Sequence, residues 1–182
     1  MIINGVWLGL FQTFTGWGFV LALIDIFAML ASNLYIIWLS NRTSVNVTEW
    51  ISLRGGFSIY SGWVTAATIL NVAFMLKYFG VADPNIPSFD EEQITIGVLF
   101  VALAIYNLAS YVELNPLFGS VFIWVLVAIR ANVVDKYTTL EKYTEYMTLF
   151  QVMSMAALWT FTATTSIYDV DTGLNMGLLY TE

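Results

Sequence analysis

Three groups of residues in this chain of 182 have types and spacings that could do chemistry. Asp25 stands alone among the otherwise uncharged residues 18–40. An acid inside an apolar span is costly to bury, so it marks either a proton path or a structural hydrogen bond. A lone acid without a chain of titratable partners makes a poor path. The expected role of Asp25 is therefore a bond to a Trp or Thr on a neighbouring helix. Asp169-Val170-Asp171-Thr172-Gly173 has the outline of a calcium loop. It fails as one, because Leu174 stands where the loop needs glycine and no Glu closes it. As an aspartic-protease triplet it lacks an all-β context, and a polar C-terminal turn is expected instead. The third group is Tyr60, Trp63, Ala67 and Asn71, spaced by three, four and four. On a helix these lie along one stripe, an aromatic and amide face suited to a packed core or to the wall of a pocket for a flat hydrophobic ligand. Trp63 and Asn71 are expected to be buried between helices, with the amide paired. Ser58, Gly62 and Ala66 form a second stripe of small residues, which lets another helix approach closely.

The chemistry stops there. Cys and His are both absent, which removes thiolate and imidazole metal ligands, Cys nucleophiles and the usual general base. No Ser/His/Asp set, phosphate loop or metal cluster can be assembled. No catalytic residue, metal site or required cofactor is expected, and the chain does not read as an enzyme.

The elements that must position these residues are membrane helices. Hydrophobic residues make up 59% of the chain and charged ones 10%, against roughly 25% charged in a soluble domain. A net charge of −7 without a Lys/Arg cluster argues against nucleic acid as a partner. Runs near 20 apolar residues long, the length a span needs, occur at 18–40, 55–79, 93–112 and 117–134, with a weaker one at 146–166. Residues 138–146 alternate charges with Tyr and read as interfacial. Residues 2–15 are apolar but too short to span, like the last half of a membrane helix. Proline at 116 suits the first turn of a helix. The expected fold is all-α, a polytopic transmembrane bundle of about five spanning helices plus an N-terminal half-helix. Its bundle is expected over 1–134, with an extra interfacial or transmembrane helix and polar tail over 135–182. The acidic loop at 83–92 is expected in water. Lys77, Arg130, Lys136 and Lys142 fall on one side and Arg42 and Arg54 on the other. The positive-inside rule weakly favours the first side facing cytoplasm, matrix or stroma.

The segment 58–71 resembles the last helix of the TspO/MBR family, the tryptophan-rich sensory or translocator proteins, whose motif reads P-Y-x-x-W-x-x-x-A-x-x-x-N. Tyr60, Trp63, Ala67 and Asn71 match it in register, although Ile59 replaces the proline. LALIDI at 21–26 resembles the family's fourth helix, including the acid at Asp25. NGVWLGLF at 4–11 resembles its third, with Asn4, Trp7, Leu10 and Phe11 matching. NPLFGSVFIWVLVAI at 115–129 resembles the extra helices of a longer bacterial form. The resemblance covers about residues 2–132 and lacks the family's first two helices; 133–182 has no recognised counterpart.

The resemblance implies a non-catalytic module with ligand contacts from Trp7, Phe11, Tyr60, Trp63, Ala67 and Asn71. The absent helices and the unmatched C-terminal segment favour an accessory or structural subunit of a larger complex, such as an organellar respiratory or photosynthetic one. Its aromatic face would then touch a lipid or pigment. The alternative is a receptor-like binding protein for a tetrapyrrole, sterol or lipid. Expected partners are membrane lipids and other membrane protein subunits. The expected location is an integral one, in an organellar inner membrane, a thylakoid or a bacterial inner membrane.

Overall fold

The computed structural model describes residues 2–13, 15–40, 54–80, 91–134 and 136–172. All of its regular structure is helical: α1 (Ile2–Phe11), α2 (Gly16–Ser40), α3 (Gly56–Tyr78), α4 (Glu91–Val112), α5 (Pro116–Val133) and α6 (Thr138–Thr172). The loop expected in water at 83–92 lies almost wholly outside the described residues, as does the tail containing Gly173.

Local signals set the helix ends. Helix α3 stops where Gly80 takes a positive φ of 74°, a conformation that glycine adopts without a Cβ penalty. Between α4 and α5 only Glu113, Leu114 and Asn115 intervene. Leu114 takes φ 47°, and the Asn115 N–H returns to the Ser110 carbonyl at 2.8 Å, closing α4. The Asn115 side chain accepts from the Phe118 N–H at 3.4 Å, capping α5, with proline in the first turn.

Helices α2, α3, α4 and α5 are long and apolar enough to cross a bilayer. Helix α1, ten residues or about 15 Å, covers half of a roughly 30 Å core, as its sequence suggested. Helix α6 departs from expectation. The interfacial run and the weak span are one continuous helix of 35 residues, since neither Gly nor Pro interrupts 138–172. Mean hydropathy does not place α6 among the spans, although its arrangement suits an apolar surrounding. Thr144 and Gln151 are fully buried, while Leu149, Phe150, Val152 and Met153 point outward and are exposed. A helix with its polar face inward and its apolar face outward suits lipid and is unfavourable in water. By length and composition the candidate spans number four among the described residues, beside about five expected from the sequence.

On the inward polar face of α6, Thr144 bonds the Leu140 and Glu141 carbonyls of its own helix, and Gln151 and Ser154 reach neighbouring helices. Gln151 donates to the Gly119 carbonyl at 3.0 Å and accepts from Asn107 at 2.7 Å. Ser154 donates to Asn107 at 2.6 Å, and the Tyr111 hydroxyl reaches the Ser154 carbonyl at 3.1 Å. This ladder joins α4, α5 and α6. Beside it lies an apolar core of Leu99, Ala102, Tyr106, Phe118, Val121, Phe122 and Leu126. Tyr106 stacks on Phe122 with centroids 4.7 Å apart, and its hydroxyl donates to the Gly62 carbonyl on α3.

A second, smaller core of Ile26, Met29 and Val64 joins α2 to α3. Helix α3 bridges the two cores by packing on α5, and the contact depends on Gly62. A Cβ there would stand 2.7 Å from Val121 Cγ2 and 3.0 Å from the Phe118 carbonyl oxygen. Gly62→Val should therefore destabilise the bundle by about 1–3 kcal/mol, typical of overpacking. The measurement is thermal unfolding in detergent, and an unchanged midpoint would show that α3 does not depend on this approach.

Candidate functional site

The motif residues divide between two faces of α3. Tyr60 and Asn71 look toward α2 and α1. The Tyr60 hydroxyl approaches Met29 Sδ at 3.3 Å. Asn71, 2% exposed, accepts from the Trp7 indole N–H at 3.4 Å and donates to the Ala67 carbonyl at 2.8 Å. Phe11 stacks on Trp7 at 5.6 Å and meets Phe19 and Phe74 edge-on, each at 5.7 Å. Trp7, Phe11 and Asn71 thus fasten α1 to the α2–α3 pair.

Trp63 does not follow. It was expected to be buried between helices, and it is 50% exposed. The reason is angular: eight residues at about 100° each leave Trp63 and Asn71 roughly 80° apart around the helix. Trp63 and Ala67 line a different space, a groove of about 840 Å³ between α3, α4 and α5. Its α3 wall continues through Leu70, Ala73 and Phe74 to Lys77. Its α4 wall includes Ile94, Thr95 and Val98, and α5 adds Val125, Ile129 and Asn132. Tyr106 and Phe122 form the floor at the Trp63 end. The groove exists because α3 and α4 touch only weakly along their length.

The α4 and α5 walls were not singled out in the sequence, where those segments read only as spans. One signal was present. Ala66, Leu70, Ala73 and Lys77 recur at four, three and four on the face beside the motif stripe, a small and apolar surface.

Asp25 lies on α2 and is not among the groove residues. Its Oδ2 is buried with no hydrogen-bond partner among the described residues, so that oxygen does not make the expected bond to a Trp or Thr. The hydroxyls of Ser61 and Ser110 are likewise buried and unpaired.

A model of the TSPO-like protein family matches residues 1–166. The chain belongs to this family. The TSPO-like match runs past residue 132 and takes in most of α6, so the segment without a recognised counterpart shortens to the C-terminal residues. It accords with an integral membrane bundle in which the motif helix, α3, stands at the centre. Comparison with curated proteins and with solved structures gives no match.

The Trp7–Asn71 bond is the polar tie between α1 and α3. A double-mutant cycle of Trp7→Phe and Asn71→Leu, read by unfolding in mixed micelles, should return a coupling of about 0.6 kcal/mol, the average for such bonds in membranes. Additive effects would show that the two side chains do not bond.

Proposed function

We propose that this TSPO-like protein is a non-catalytic membrane binding protein that holds a hydrophobic small molecule in the groove between α3, α4 and α5. The groove itself carries the reading. Its 840 Å³ falls within the roughly 300–1,000 Å³ of small-molecule sites. Its lining is mostly apolar, with one aromatic indole at one end and a few polar groups at the other. Trp63, from the motif stripe, offers a flat face for a sterol, a tetrapyrrole or a lipid chain.

A second reading, an accessory subunit of a larger membrane complex, is favoured by α1. Gly5 and Gly9 are spaced by four, and a Cβ at either would meet nothing within 4 Å. Val6 and Leu8 beside them are about half exposed. Such a face lets a helix from another subunit approach closely. Native electrophoresis of gently solubilised membranes separates the readings: a stable higher assembly lost on Gly9→Leu supports the subunit role.

Filling the groove should abolish binding. Ala73→Trp and Val98→Phe each place a larger side chain in it. Each should weaken uptake of protoporphyrin or a photoreactive sterol by about ten-fold or more, ~1.4 kcal/mol, with the unfolding midpoint as a control for folding. Unchanged uptake by both variants would place the ligand elsewhere.

A further inference from the structure

We infer that Glu92 is a positioning residue of the groove, on the reading that the groove is the binding site: its carboxylate holds the outer end of α4 to α6 and keeps that end apart from α3. Helix α6 lacks a cap from its own sequence. It opens at Thr138, and the Glu141 N–H bonds the Tyr137 carbonyl at 2.9 Å. Tyr137 therefore stands at the N-cap, where a short polar side chain would accept from the third N–H of the helix, that of Leu140. A tyrosine ring is not such a side chain. Glu92, on the first turn of α4, accepts from the Leu140 N–H instead, at 2.6 Å. A carboxylate at this place meets the positive end of the helix dipole, and a charged acceptor makes the stronger hydrogen bond.

The place of this bond along α4 gives it a second effect. Glu92 does not line the groove, but Ile94, Thr95 and Val98, within the next two turns, do. They form the α4 wall at the outer end, the end that Lys77 marks on α3. Further along α4, Phe100 meets Tyr143 edge-on at 6.0 Å, Asn107 bonds Gln151, and Tyr111 reaches Ser154. Helix α4 is thus fastened to α6 from its first turn to its last. Its tie to α3 is at the deep end, from the Tyr106 hydroxyl to the Gly62 carbonyl. The two helices are joined there, and at the outer end Glu92 draws α4 toward α6. The α3 wall at that end is small at Ala73, one turn before Lys77. Small residues let membrane helices approach closely, so α4 released from the Glu92 bond would settle against α3 and narrow the groove.

The chain has no cysteine, so spin labels can be attached to cysteines introduced in pairs in the full chain, held in nanodiscs. One pair, at Leu76 and Gly97, spans the outer end; a Cβ at position 97 meets nothing within 4 Å. The other, at the exposed Ile59 and Leu108, spans the deep end. Pulsed double resonance should show the outer distance shortened by several ångströms in Glu92→Ala and the deep distance unchanged. Uptake of a photoreactive sterol should weaken about five-fold, the factor that a helix cap is typically worth. Glu92→Gln, which keeps an acceptor oxygen, should retain the outer distance, and thermal unfolding confirms that each variant folds. A cap that served only to stabilise α6 would lower the unfolding midpoint without moving the outer distance. An unchanged outer distance in Glu92→Ala, or outer and deep distances that change alike, overturns the inference. A shortened outer distance with unchanged sterol uptake upholds Glu92 as the residue that positions α4 and removes the groove as the ligand site.

Discussion

Polar groups inside hydrocarbon cannot trade their partners for water, and this constraint decides which helices of this chain meet. Apolar packing alone gives membrane helices little preference for one another, because lipid tails are as apolar as leucine. The choice passes to a small set of hydrogen bonds between distant residues. Gln151, Asn107 and Ser154 draw α4, α5 and α6 together. Asn115 donates to Ser58 at 2.6 Å, setting the start of α5 beside the start of α3. Trp7 and Asn71 place α1. Tyr106 ties α4 to Gly62 at one end of their shared length, and away from that tie the two helices part to form the groove. The site is thus a consequence of where polar bonds were spent and where they were withheld.

Much of this was legible in the residues, and the limits have physical causes. Helix positions followed from apolar runs and from Asn115 and Pro116. The family followed from Tyr60, Trp63, Ala67 and Asn71. Averages failed for α6, where inward Thr and Gln cancel outward Leu, Phe and Met, so a membrane helix resembles an interfacial one. The stripe rule failed for Trp63, because a repeat of three, four and four still fans around the helix and leaves Trp63 facing other neighbours than Tyr60 and Asn71. The groove could not be read at all from one helix. It needs the separation of α3 from α4, which is a property of the fold and leaves no periodic mark in either segment.

Asp25 shows a different limit. The sequence placed it inside a span and supplied a reason for it to be paired, yet its buried Oδ2 and the Ser61 and Ser110 hydroxyls have no partner among the described residues. Each lies in or beside a helix contact where a bonded group would add stability. These three atoms contrast with Gln151, Asn107 and Ser154, whose polar groups bond one another across α4, α5 and α6.

The open side of the groove changes what concentration means for this protein. A pocket facing water samples the ligand dissolved there, whereas one flanked by exposed Leu70 and Phe74 samples the bilayer. Occupancy then follows the mole fraction of the ligand within its leaflet, and compounds nearly insoluble in water compete on equal terms once they partition. Affinities titrated against bulk concentration would vary with the amount of lipid or detergent present, even though the protein itself had not changed.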